Sequence, residues 1–250
     1  MIPLKSKADL VMLRESGRIL AKILKELKSA IKPGIATQEI DKLAEDLLRR
    51  EKVLAAFKGY RGFPASTCIS LNEEIVHGIP GSRVIKDGDI VSLDFGLNYQ
   101  GYYSDAAFTQ PVGKVNGRVK KLVEVTKTAL SEGIKQAVPE NHLFDISYAI
   151  QNYVEKNGFS VVRQFVGHGI GRALHEEPEI PNFGMKNKGP VLKSGMVLAI
   201  EPMVNMGTWE CAILENGWTA ITLDKLPSAH FEHTVAVTDD GPEILTRENA

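Results

Sequence analysis

The chain has 250 residues, 43% of them hydrophobic and 24% charged, and its 30 basic and 31 acidic side chains leave a formal net charge of −1. These proportions belong to a folded globular chain and exclude a disordered or collagen-like one; the dispersed, near-neutral charge offers no basic groove for nucleic acid and no membrane-binding face. Two cysteines, Cys68 and Cys211, are too few for a disulfide framework or a thiolate zinc module, so a reduced, cytoplasmic setting is expected.

Leu10, Leu13, Ile19, Leu20, Ile23, Leu24 and Leu27 recur at helical spacing and predict a helix over about 7–30, ended by Pro33-Gly34. Thr37 is placed to cap a second helix carrying Ile40, Leu43, Ala44, Leu47 and Leu48. Strands are predicted over 67–71, 90–95 and 102–109, with a turn at 98–101. The second half predicts the same order: a helix over 115–137 ending at Pro139, and another over 143–156 stopped by Asn157-Gly158. Strands follow over 160–166, 196–204, 212–214, 219–223 and 231–237. No apolar run approaches the roughly 18–20 residues of a membrane span, and the opening segment has no signal-peptide core.

The two halves are related in sequence. Val84-Ile-Lys-Asp-Gly-Asp-Ile-Val-Ser-Leu-Asp94 aligns without a gap on Val191-Leu-Lys-Ser-Gly-Met-Val-Leu-Ala-Ile-Glu201. Pro33 and Pro139 stand alike between paired helices, and His77-Gly-Ile-Pro-Gly81 echoes His168-Gly-Ile-Gly-Arg172. Helices followed by strands, twice over and without a linker, predict one α+β domain spanning 1–250, with pseudo-twofold halves of about 1–113 and 114–250.

Each aligned copy ends in an acid, Asp94 or Glu201, directly after an apolar run, where a carboxylate is costly to bury without a cation. Asp94 and Asp105 are expected near the ends of successive strands in the first half, with Glu201 and Glu232 in the equivalent places of the second. Together with His168 they suit two divalent ions better than a structural zinc site. Taken singly, such an acid is more often a turn residue or a surface charge; the aligned placement in both repeats favours the metal. His175-Glu-Glu-Pro is no HExxH helix, because its fifth residue is Glu179 and the proline breaks the turn. One of His230 and His233 is expected to be structural and the other exposed.

Across essentially its whole length the chain resembles the methionine aminopeptidases of the pita-bread metallopeptidase superfamily. The matching stretches are Ser66-Thr-Cys-Ile-Ser-Leu-Asn-Glu73, His77-Gly-Ile-Pro80, Leu93-Asp-Phe-Gly96, Gly101-Tyr-Tyr-Ser-Asp105, Gly167-His-Gly-Ile-Gly-Arg172, His175-Glu-Glu-Pro178, Ile200-Glu-Pro-Met203 and Phe231-Glu-His-Thr234. The short gap from Glu201 to Glu232 and the N-terminus resemble a compact bacterial-style type 1 enzyme without an N-terminal extension. The resemblance implies a central curved antiparallel sheet covered by helices. It implies two divalent ions (Co, Mn, Fe, Ni or Zn), with Asp94 on one, His168 and Glu201 on the other, and Asp105 and Glu232 bridging. His77 and His175 would flank the substrate backbone, and Glu201 would carry the proton.

Tyr60, Cys68 and Trp218 match the family's methionine pocket, whereas Phe57 stands where the common form has cysteine, Phe63 where it has tyrosine and Leu174 where it has phenylalanine. All remain apolar, so a thioether side chain still fits. The implied activity is removal of N-terminal methionine from nascent peptides, near the ribosome and by a monomer, when the second residue is small. Proline-specific relatives, aminopeptidase P and prolidase, share the ligand types but usually carry an extra domain. A non-catalytic peptide-binding module of this fold would typically have lost ligands.

Overall fold

The first helix, α1 (Lys7–Ala30), starts at a reciprocal cap in which the Asp9 amide donates to Ser6 Oγ (3.2 Å) and the Ser6 amide to Asp9 Oδ2 (3.0 Å). The cap satisfies amides that have no partner inside the helix. The computed structural model describes residues 2–247. In α2 (Thr37–Glu51) the cap differs from expectation: the N-cap is Ala36, whose amide donates to Glu39 Oε2 at 2.8 Å. Because Glu39 reaches that amide from inside the helix, Thr37 is released to bind Gly81, donating to its carbonyl (3.1 Å) and accepting from its amide (2.8 Å). The loop at 77–81 is thereby tied to the helix start.

The second helix pair repeats this plan. α3 (Gly117–Ile134) is capped by Asn116, which accepts from the Val119 amide (2.9 Å), and is shorter at both ends than its apolar pattern suggests. α4 (Leu143–Lys156) has the expected bounds, and the His142 amide donates to Asp145 Oδ2 (2.8 Å) as Ala36 does to Glu39. Isolated bridges join Ala36 to Val84 and His142 to Val191, the first residues of the two aligned segments. Gly88 and Gly195, paired in the alignment, take φ of +91° and +92°, and their amides donate to Val112 and Val237. Glycine adopts that conformation without the steric cost other residues meet.

The strands of the first half are β1 (Leu54–Ala55), β2 (Cys68–Leu71), β3 (Glu74–Val76), β4 (Ile90–Tyr99) and β5 (Tyr102–Pro111). Those that follow are β6 (Ser160–Val161), β7 (Val166–Gly169), β8 (Glu176–Pro181), β9 (Val197–Ile200) and β10 (Met203–Asn205). The last are β11 (Cys211–Ile213), β12 (Ala220–Thr222), β13 (Ser228–His230), β14 (Glu232–Thr238) and β15 (Gly241–Ile244). Among the described residues, nine strands form one curled antiparallel sheet ordered β1-β4-β5-β14-β9-β7-β8, with β2 also on β4 and β15 also on β14. Two small sheets, β13-β10-β6 and β11-β12-β3, stand beside it. This is the expected α+β class with related halves around a central antiparallel sheet.

Strand bounds depart from expectation where acids and prolines lie. β4 runs through Asp94 to Tyr99, and β5 carries Asp105 in its interior, so neither acid ends a strand. The backbone keeps pairing while the carboxylates project to one side. The run over 196–204 does break, at Glu201-Pro202 between β9 and β10, because proline has no amide to give the ladder.

The helices cover one face of the large sheet. Leu93, Phe95 and Leu97 of β4 enter a core with Leu20, Ile23 and Ile40. Leu198, Ile200, Val235 and Val237 enter another with Leu122, Ile146 and Ile150. Burying each such side chain contributes about 1.5–3 kcal/mol. No helix among the described residues is long and apolar enough to cross a membrane.

Candidate metal centre

Side chains alternate across a strand, so the residues between those core positions project to the opposite face. Register places them in two adjacent rows. In one, Cys68 faces Asp94, Asp94 faces Ala107, and Ala107 faces Glu232, across β2, β4, β5 and β14. In the other, Gly96 faces Asp105, and Thr234 faces Ala199, which also faces His168. The rows are stitched between β5 and β14 by Thr234, whose Oγ1 accepts from the Asp105 amide (3.0 Å) and donates to its carbonyl (2.8 Å). Glu201, two residues beyond Ala199, falls on this same face, its Oε1 lying 3.6 Å from His168 Nε2. Ligating atoms of Asp105, His168 and Glu232 lie within 4.8 Å of one another. Gly96, Ala107 and Ala199 keep the floor low enough for the acids to converge.

The electrostatics of this cluster call for a cation. Asp94 Oδ1, Asp105 Oδ1 and Glu232 Oε1 are buried without a hydrogen-bond partner. Burial pushes the Asp94 carboxyl up to about 7. Asp105, Glu201 and Glu232 are raised well above the carboxylate range by burial first and by one another's charge second. Four buried acids facing each other are unfavourable as anions unless positive charge sits between them. His168 Nδ1 lies 2.9 Å from the Gly169 carbonyl and donates to it, leaving Nε2 bare toward the acids. Burial lowers its pKa to about 4, so the ring is neutral and able to ligate. Hard oxygens plus one imidazole, with orphaned lone pairs aimed inward, fit divalent cations.

Every side chain expected at the site lines one cavity of about 150 Å³: Phe57, Tyr60, Phe63, Cys68, His77, Asp94, Asp105, His168, Leu174, His175, Glu201, Trp218 and Glu232. The acids and His168 form its floor. Phe57, Phe63, Cys68 and Leu174 are buried in one apolar cluster that Tyr60 and Trp218 close. Phe63 meets Trp218 edge-on at 5.1 Å, and His77 meets Phe165 edge-on at 5.4 Å. His175 stands at the mouth just before β8, its Nδ1 2.9 Å from the Tyr60 hydroxyl and its ring 4.1 Å from that of His168. Desolvation against these rings, then the neighbouring His168 and Arg61, holds His175 below the ordinary imidazole pKa.

One cavity-lining residue escapes sequence reasoning. Arg61 also lines the mouth; nothing in its sequence context marks it. His230 is buried beside Glu201, its Nε2 3.8 Å from Oε2 and without a hydrogen-bond partner. The expectation that one of His230 and His233 is exposed fails: His230 is 1% exposed, and His233 is half-buried with Nδ1 2.9 Å from Thr246 Oγ1. Alternation explains the second case, because Glu232 points into the cavity and His233, next along the strand, must point away.

The profile of metallopeptidase family M24 matches residues 11–239. A protein of Bacillus subtilis (strain 168) named methionine aminopeptidase 1 is 53% identical over 247 residues, covering 99% of this chain and all, 100%, of its own. A methionine aminopeptidase of Clostridium perfringens (strain 13 / Type A) is 52% identical over 246 residues, covering 98% and 99%. The crystal structure of methionine aminopeptidase from Thermotoga maritima matches with a TM-score of 0.97 at 46% identity, over 99% of this chain and 100% of that one. A prolidase from Pyrococcus horikoshii OT3, 24% identical with a TM-score of 0.79 over 98% of this chain and 64% of its own, shares the fold.

Proposed function

The chain belongs to metallopeptidase family M24 and is an aminopeptidase of the pita-bread fold, and from that premise we propose that it releases the N-terminal methionine of nascent proteins and peptides whose second residue is small (Gly, Ala, Ser, Thr, Cys, Pro or Val). The observation that carries this reading is the placement of an acid cluster on the floor of a narrow apolar cavity. A volume of about 150 Å³ is small beside the roughly 300–1,000 Å³ of sites for drug-sized ligands and suits one unbranched side chain. Phe57, Tyr60, Phe63, Cys68, Leu174 and Trp218 would surround the thioether.

Asp94, Asp105, His168, Glu201 and Glu232 would hold two divalent cations. Cations so held would supply Lewis acidity toward a bound water and the scissile carbonyl. Glu201 takes the proton of the attacking water on its carboxylate and passes it to the leaving amine. The Tyr60 hydroxyl lies 2.9 Å from His175 Nδ1; in the tautomer in which it donates there, the His175 proton sits on Nε2 and donates to the developing oxyanion. His77, neutral because burial lowers its pKa, contacts the scissile amide or the leaving group. The enzyme works as a cytoplasmic monomer on chains emerging near the ribosome, with Co, Mn, Fe, Ni or Zn.

A mass-spectrometric peptide panel tests this reading. With Mn²⁺ or Co²⁺, Met-Ala-Ser should lose methionine while Met-Lys-Ser, Leu-Ala-Ser and Ala-Pro-Ala stay intact, and a chelator should stop the reaction. Cleavage before proline in place of methionine release moves the chain to the proline-specific group.

A further inference from the structure

The side chain of Glu176, directly after His175, is 11% exposed and does not line the cavity. Its Oε1 accepts from the amides of Arg172 (2.7 Å) and Ala173 (3.1 Å), which closes the turn at 171–176 on itself. Its Oε2 receives the Lys5 ammonium, whose side chain is 5% exposed. Lys5 is built into this place. Its amide donates to the Gly195 carbonyl (2.7 Å). A β-carbon on Gly171 would overlap Lys5 Cε, and one on Gly195 would stand 2.9 Å from the Lys5 carbonyl oxygen. A second clamp lies beside the first: Arg172 donates to Asp9 Oδ1 (3.2 Å) at the start of α1.

We propose that Lys5 is a positioning residue for His175: the N-terminal segment, through the buried Lys5–Glu176 pair, fixes the turn that carries the imidazole against Tyr60. This rests on the role proposed above for His175. A buried carboxylate that organises two amides keeps its geometry only while its remaining oxygen has a cationic partner. Loss of that partner lets the turn relax, and a shift of about 1 Å at a positioned group can cost roughly 100-fold in rate.

The test compares wild type, Lys5→Met, His175→Ala and the double variant, all loaded with Mn²⁺, on Met-Ala-Ser. Lys5→Met should lower kcat by roughly 10- to 100-fold with KM within about 3-fold, and should add less than about 3-fold to His175→Ala. The losses multiplying in full, or wild-type kcat in Lys5→Met, overturns the proposal. Should Lys5→Met fail to fold, Glu176→Gln breaks the same ion pair and carries the same comparison. The second readout is the His175 imidazole cross-peak of the metal-free protein, which should move in Lys5→Met or Glu176→Gln while that of His142 holds; an unmoved His175 signal also overturns the proposal. A wild type without turnover defeats the aminopeptidase reading alone, since the cross-peak still reports on Lys5.

Discussion

Gly96 lies directly opposite Asp105 in the register of β4 and β5, and a β-carbon on it would stand 3.1 Å from Asp105 Oδ1 and 3.0 Å from Phe57 Cε1. The floor of the site and the wall of its apolar pocket therefore share one missing side chain. Gly96→Ala should crowd both at once, destabilising the fold by about 1–3 kcal/mol through overpacking and weakening Mn²⁺ binding roughly tenfold. Calorimetric titration of the metal-free protein with Mn²⁺ reads the second effect. Unchanged affinity would mean that Asp105 is not a ligand.

The acid cluster sets a pH signature for metal-free protein. Above about pH 7.5, a unit past the ordinary imidazole pKa, His77, His168, His175, His230 and His233 are neutral in both folded and unfolded chains, because burial lowers their folded values. The buried carboxyls are raised, Asp94 to about 7 and Asp105, Glu201 and Glu232 well above their ordinary value. In this range the folded state holds more protons than the unfolded, so stability falls as pH rises, by up to about 1.4 kcal/mol per pH unit for each proton retained. Thermal melts in chelator should show Tm dropping between about pH 7.5 and 8.5. Saturating Mn²⁺ should flatten or reverse the trend, since metal replaces the protons. A chelated protein with a flat profile contradicts the burial of these acids.

His175→Ala should reduce kcat by roughly 100- to 1,000-fold with a smaller change in KM, the loss of one oxyanion donor. Tyr60→Phe should give a smaller loss in the same direction, because it removes the partner of Nδ1 and with it the preference for the Nε2–H form. Steady-state kinetics on Met-Ala-Ser separate the two constants. Equal kcat in wild type and His175→Ala removes this residue from the mechanism.

The two thiols should differ in reactivity. Cys68 is buried in the pocket wall, and burial together with the nearby acids raises its pKa, whereas Cys211 is half-buried. Thiolate is the reactive form, so iodoacetamide on native protein should label Cys211 well before Cys68, with both labelled in denaturant. Fast labelling of Cys68, read by peptide mapping, would show that the apolar pocket is open.

The helices were the most legible part of the chain. The apolar spacing of Leu13 through Leu27 and the breakers around 139–142 and 157–158 fix α1 and α4 to within a residue, because one buried stripe and its caps decide a helix locally. β4 was harder: Asp94 reads as a strand end, since nothing local shows that its carboxylate points into a shared cavity while the backbone goes on pairing with β5. β8 and β15 are not legible in the sequence because Glu176–Pro181 and Gly241–Ile244 carry proline, charge or glycine, and β13 because Ser228–His230 is only three residues long. Their pairing comes from neighbours supplied elsewhere in the chain. The site's residues were visible through the internal alignment and the family's motifs. Arg61 was not, as it reaches the cavity through loop geometry that has no repeat to announce it.

The seam between β5 and β14 is narrow, with Glu232 on Ala107, His233 on Ala106, and Thr234 bonded to Asp105. Asp94 and Asp105 arrive from one side of it and His168, Glu201 and Glu232 from the other. Neither side alone can gather the five proposed ligands, so a chain still being made, with β14 not yet in place, is expected to be inert toward peptides. On the proposed ligand set, catalytic competence is in this sense a certificate of completion: the hydrolase switches on only when β14 pairs with β5.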